Sequence, residues 1–113
     1  MTDSILASVK KMLGVTEEYK AFDPDIIIHI NSVLSILHQL GIGPDEGFQI
    51  DGPQQTWEDL FGNDPRLNLI KSYVQLRVRL LFDPPVGTAL ESYNRIVSEF
   101  EWRINVGVDK SKW

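Results

Sequence analysis

The sequence predicts an all-α domain of four helices, with one long irregular insert between the second and the third. Three observations predict it. Apolar residues recur at helical spacing in separate stretches. Each stretch is bracketed by local start or stop residues. Glycine and proline, which interrupt helices, cluster between the stretches.

The first helix is expected over about residues 4–13, where Ile5, Val9, Met12 and Leu13 share a face and Gly14 follows as the stop. The second is expected over 24–40. Asp23 reads as its N-cap and Pro24 as its first helical residue, where a missing N–H costs nothing. Its apolar residues Ile26, Ile27, Ile30, Val33, Leu34, Ile36, Leu37 and Leu40 cover about half the circumference at about 100° per residue. Asn31, Ser32, Ser35 and Gln39 fill the other side, and Gly41 is the stop.

Residues 42–64 hold Gly43, Gly47, Gly52, Gly62, Pro44 and Pro53, too many breakers for a regular helix. Phe48-Gln49-Ile50 alternates as a short strand does. Thr56-Trp57-Glu58-Asp59 has the form of a capping box opening a single turn through Leu60 and Phe61. An insert of this length in a small domain is usually functional or mobile.

The third helix, over 65–82, starts at Asp64-Pro65 and ends at Asp83-Pro84-Pro85. Leu67, Ile70, Tyr73, Val74, Leu76, Val78, Leu80 and Leu81 spread over roughly 200° of its surface. A surface helix needs an apolar stripe of only about 100°. This helix is therefore either central to the fold or covered on a second side by another chain. The fourth helix, over 89–105, opens at Thr88 with Glu91 completing a capping box. Residues 1–106 form the single domain, and 107–113 read as a flexible polar tail.

A chain of 113 residues fits one domain, and 42% apolar with 24% charged residues is an ordinary globular composition. There is no cysteine, hence no disulfide, thiolate metal site or cysteine nucleophile. Met1-Thr2-Asp3-Ser4 has no signal-peptide pattern, and no stretch approaches the ~20 apolar residues that span a bilayer. A soluble, membrane-free protein is expected. The net charge of −5 argues against bulk nucleic-acid binding. The charges are also segregated. Asp45, Glu46, Asp51, Glu58, Asp59 and Asp64 crowd the insert without a base, and Arg66, Lys71, Arg77 and Arg79 follow without an acid.

No catalytic constellation can be assembled. The stretch from Gly41 to Gly47 misses the dinucleotide fingerprint by one residue and follows a helix instead of a strand. His29 and His38 are nine apart on one helix, about 900° of turn, and point to opposite faces. His29 reads as a partly buried histidine bonded to Asp25, with pH sensing as the alternative. The acidic pairs of the insert lack the order of a calcium loop and read as solvated. No enzyme, metal site or cofactor is expected.

Other residues point to assembly. Arg77 sits inside the apolar arc of the third helix, where an unpaired guanidinium is too costly to keep. Either it meets a carboxylate at a chain–chain contact, or its stem packs and its head reaches water. Glu91, Arg95, Glu99 and Arg103 form an i, i+4 ladder on the fourth helix, and Trp102 lands on that polar side. An outward Trp is an interface anchor or lies across a neighbouring loop.

The order of short blocks along the chain carries a resemblance. Phe22-Asp23-Pro24-Asp25 opens a helix that ends at Leu40-Gly41-Ile42-Gly43-Pro44. Gly47-Phe48, a Trp-containing loop, Tyr73-Val74-Gln75-Leu76-Arg77, Leu80-Leu81-Phe82-Asp83-Pro84-Pro85 and Glu99-Phe100-Glu101-Trp102-Arg103 follow. Together they resemble the head–tail connector (adaptor) proteins of long-tailed phages and prophages of Gram-positive bacteria. The resemblance implies a four-helix virion protein at the head–tail junction, made in the host cytoplasm. It implies a ring of about twelve copies, matching the portal protein beneath which it sits, and a ring uses head-to-tail contacts. Such a ring extends the DNA channel, lets the genome pass without sequence-specific binding, and docks a stopper or tail-completion protein. It carries over no catalytic residue.

The expected subunit or partner interface comprises Asp45, Glu46, Asp51, Trp57, Glu58, Asp59, Arg66, Lys71, Arg77, Arg79 and Trp102, with the acidic insert of one copy reaching the basic helix of the next. The alternative is a small DNA-binding or DNA-packaging module, similar to a terminase small subunit, resting on the basic third helix.

Overall fold

The computed structural model describes residues 4–44, 46–62, 67–84 and 86–111, with side chains through residue 106. Five helices follow in order: α1 (Ile5–Leu13), α2 (Asp23–Gln39), α3 (Trp57–Phe61), α4 (Leu67–Phe82) and α5 (Thr88–Ser111). The fold is all-α, as the periodicity predicts. The single turn expected after Thr56 is the short α3.

Local chemistry sets most helix ends. Ser4 caps α1 by accepting the Ala7 N–H at 3.2 Å. Both α1 and α2 end in the same reversal. Gly14 has φ +80° and Gly41 φ +90°, a left-handed conformation that only glycine adopts without strain. The next N–H reaches back a full turn, Val15 to the Lys10 carbonyl and Ile42 to the Leu37 carbonyl, each at 2.9 Å. The capping box of α3 is complete. Thr56 Oγ1 accepts the Asp59 N–H, and Asp59 Oδ2 accepts the Thr56 N–H.

Three sequence expectations change. Asp23 does not cap α2. It lies inside the helix, and its carboxylate is held by Lys10 Nζ at 2.8 Å. Thr88 does not cap α5. It is the first helical residue, and the Gly87 carbonyl before it accepts the Leu90 and Glu91 N–H groups. α5 also continues past Asn105 to Ser111. No proline interrupts that stretch, and one interior glycine, Gly107, costs only about 1 kcal/mol. The Asp64-Pro65 start of α4 lies outside the described residues.

α4 is the centre of the molecule. It packs on α1, α2, α3 and α5. Ile70, Tyr73, Val74 and Val78 are buried, and Leu67, Leu69, Leu76 and Leu80 pack partly buried around them. Of the two explanations for its wide apolar arc, centrality within one chain accounts for all of it but Leu81, which stays exposed near the end of the helix. α2 contributes Ile26, Ile30, Val33, Leu34 and Leu37 to the same core. α1 adds Ile5, Leu6 and Val9, and among the described residues α5 adds Val97 and Ile104, with Phe100 packed partly buried beside them.

The described part of the insert is packed. Ile42, Ile50, Trp57 and Leu60 are buried. Phe48-Gln49-Ile50 forms no strand. The Ile50 backbone finds its partner in a side chain: its N–H donates to Asn31 Oδ1 at 2.8 Å, and its carbonyl accepts from Asn31 Nδ2 at 3.0 Å. One carboxamide thus replaces a neighbouring strand. At the far end of the insert, the Ile5 N–H donates to the Gln55 carbonyl, and Trp57 Nε1–H donates to Ser8 Oγ at 3.1 Å.

Lys10 closes the other side of α1. It is only 2% exposed. Its ammonium donates to the Glu17 and Tyr19 carbonyls at 3.0 and 2.8 Å and pairs with Asp23. Two of its donors have carbonyl acceptors and the charge faces the Asp23 carboxylate as an ion pair, which is what lets a lysine be buried. The loop between α1 and α2 is wrapped around this one charge.

Replacing Lys10 with methionine keeps the apolar stem but leaves two carbonyls and a largely buried carboxylate without a donor. Lys10→Met is expected to destabilise the chain by about 3 kcal/mol or more in chemical denaturation. Lys11→Met, at an exposed neighbour, should stay within about 0.5 kcal/mol of wild type. Equal effects of the two would contradict the clasp.

Candidate functional site

The residues expected to form an assembly surface divide sharply once the fold is known. Asp45 and Arg66 lie outside the described residues. Trp57 is 1% exposed, with its ring in the core and Lys71 Nζ 5.7 Å from the ring centroid. It is not a surface residue. The α3 capping box turns Asp59 outward and the indole inward, while Glu58 between them is partly buried, with Oε2 shut off from solvent.

Arg77 follows neither of the two courses open to it on sequence. Its carboxylate partner is Glu101, on α5 of the same chain. Arg77 Nη2 donates to Glu101 Oε2, Tyr73 O–H donates to the same oxygen at 2.7 Å, and Arg77 Nε–H donates to Tyr73 Oη at 3.2 Å. Tyr73 and Arg77 are one turn apart on α4, so both reach a single carboxylate on α5. The three side chains form a closed polar lock between the two helices. The sequence signal for it was present but weak, because Glu101 carries no pattern that separates it from a solvated helix acid.

The lock shifts its own titrations. Burial, and then the hydrogen bond to Glu101, push the Tyr73 phenol up to about 12. Burial opposes the charged form of Glu101. The hydrogen bonds from Tyr73 and Arg77 outweigh it and hold the carboxyl below its usual value. Burial also opposes the charge on Arg77, but its bonds to Glu101 and Tyr73 keep it protonated throughout.

The cations of α4 do not make one basic patch. Arg77 is consumed by the lock. Lys71 lies over Trp57, and Arg79 lies over Tyr93 of α5 with 5.6 Å from guanidinium carbon to ring centroid. Among the acids of the insert, Asp59 serves the α3 cap, and Asp51 accepts from Gln55 Nε2 at 2.8 Å. Glu46 is exposed beside a turn closed by the Gly47 N–H on the Pro44 carbonyl.

α5 leaves much of its surface uncovered. It rests chiefly on α4. Trp102 is 66% exposed, with Ile96 also open to solvent. Of the ladder expected along this helix, only the Glu99–Arg103 rung forms among the described residues, at 2.7 Å and well exposed. Such a pair adds about 0.3–0.5 kcal/mol. His29 is half-buried and meets the Phe82 ring edge-on at 6.4 Å instead of bonding Asp25. Phe22 joins that aromatic group, 5.4 Å from Phe82 and 5.3 Å from Tyr19. Sequence reading passed over this cluster because its members come from two helices and a loop.

Among the described residues, no group of three or more His, Asp or Glu side chains could hold a metal ion, and no helix is long and apolar enough to cross a membrane.

The lock has a pH signature. The Glu101 contribution is complete above the ordinary carboxylate value of about 4.3 and is lost as pH falls through its lower folded value. The Tyr73 contribution is complete below about 10 and is lost as pH rises towards 12. Phenolate absorbance should therefore show one of the three tyrosines ionising last, and Tyr73→Phe should remove that step. Glu101→Gln is expected to destabilise the chain by about 1–2 kcal/mol, discounted for the partial exposure of the pair. An unchanged late step in Tyr73→Phe would contradict the assignment.

No curated protein and no solved structure shows a significant match to the chain. A family model does. The model described as phage connector protein matches residues 5–111, from the first residue of α1 to the last of α5. The match covers all five helices and the insert together, and the blocks of the resemblance, from Phe22 to Arg103, lie inside it. The chain belongs to the phage connector protein family, a family of structural virion proteins.

Proposed function

We propose that this chain is a subunit of a ring that joins the portal of a phage head to the tail and extends the DNA channel. The observation that carries the proposal is the family match over nearly the whole chain. The ring holds about twelve copies if it follows the portal beneath which it sits. The protein then works at the head–tail junction of the virion, is assembled there from the host cytoplasm, and docks a stopper or tail-completion protein on its free side.

Features of the subunit support this reading. A head-to-tail ring needs two different complementary surfaces on each copy. The exposed acids Glu46, Asp51 and Asp59, with Glu58 beside them, supply one. Lys71 and Arg79 supply the other, and the open face of α5 with Trp102 offers an aromatic anchor. The net charge of −5 suits a channel wall along which DNA slides without sticking. The DNA-binding alternative has less to rest on, because the α4 cations have three separate sets of neighbours and offer no continuous stripe to a phosphate backbone.

Electron microscopy of the purified chain with and without portal tests the proposal. Rings, or density capping the outer end of the portal, are expected, and raised salt should weaken them. Particles that remain single chains and ignore the portal, or a chain that shifts duplex DNA at moderate salt, would overturn it.

A further inference from the structure

Arg79 is the α4 cation whose charge the fold leaves unanswered. Arg77 has Glu101, and Lys71 has Trp57 and further partners. No carboxylate of the described residues pairs with Arg79. Its Nε is buried without an acceptor, and the guanidinium lies over the Tyr93 ring. The inner edge of the group is therefore shut off, and its outer edge lines a groove. Met12, Leu76 and Phe100 give that groove apolar walls, and Gln75 adds an amide. A cation held over an aromatic ring beside apolar walls, with no counter-charge, is suited to receive one carboxylate.

The same chain carries a matching acid. Glu46 is exposed, lies against the C-terminal half of α2 near Ser35 and Gln39, and has no described partner. Asp51 and Asp59 already accept hydrogen bonds within their own loop. The groove lies between α4 and α5, and no ion pair joins Glu46 to Arg79 within one chain. We infer that Glu46 of one copy seats its carboxylate on Arg79 of the next, in the groove between α4 and α5. This rests on the ring reading and names the contact that closes it. Each copy then gives an acid from one surface and receives one on another, which is the head-to-tail condition.

Reciprocal charge reversal tests the contact. Glu46→Arg places like charges at every junction, and so does Arg79→Glu. In an equimolar mixture of the two, each junction between unlike copies again pairs opposite charges. Assembly is followed by sedimentation of the full chain, alone and mixed with portal, and helical circular dichroism checks that each variant is folded. Each variant alone should need at least roughly tenfold more protein to assemble than wild type, because like charges at an interface are strongly repulsive. The mixture should recover assembly near the wild-type level. Single variants that assemble like wild type would overturn the contact while leaving the ring reading standing. So would folded variants whose mixture stays dissociated. A wild-type chain that stays single both alone and when mixed with portal would overturn both.

Discussion

The fold depends on the need to cover α4. Its apolar residues span far more of the helix than one neighbour can bury, and α1, α2, α3 and α5 are arranged to share that surface. The burial is worth roughly 1.5–3 kcal/mol for each large side chain removed from water. The cost is that Arg77 also lies in this surface. Tyr73 and Glu101 answer it, so α5 is held to α4 by a polar lock as well as by Val97 and Ile104. Elsewhere the same logic recurs with other groups. Lys10 is buried only because a loop and Asp23 surround it, and Asn31 lets the insert dock on α2 without a strand.

What could be read from the sequence was what neighbouring residues decide among themselves. The glycine reversals after α1 and α2 and the Thr56–Asp59 capping box each involve residues within a few positions, and each forms as expected. What escaped was decided across the chain. Asp23-Pro24 has the form of a cap, but a lysine thirteen residues earlier competes for the carboxylate. Lys10, in the last turn of a helix, reads as a solvated cation until the loop that encloses it is placed. Asn31 sits on the polar side of α2, and its partner is 19 residues away. Glu101 is 24 residues from Arg77. Pattern reading assigns such residues to solvent because nothing nearby says otherwise.

These long-range pairs also change which residues bear on assembly. The wide arc of α4 and the guanidinium within it looked like features that a single chain would not need. The single chain uses both. Trp57 likewise belongs to the core. The surfaces left over are narrower: the uncovered side of α5 with Trp102, the exposed acids around the insert, and the groove at Arg79. For a member of the phage connector family this is a coherent division of labour. The core of the chain is complete within one copy, and the proposed contacts fall on surfaces that this core does not use.

Hydrogen–deuterium exchange on the free chain and on the chain assembled with portal measures that division most directly. Backbone amides in a self-sufficient core exchange only through near-global opening, whereas peripheral elements open locally. The slowest amides of the free chain should lie in α4, from Ile70 to Val78, and assembly should leave them unchanged. New protection should appear along α5 around Trp102 and in the insert around Glu46. An α4 that exchanges freely in the isolated chain and becomes protected only on assembly would contradict a subunit whose centre is complete on its own.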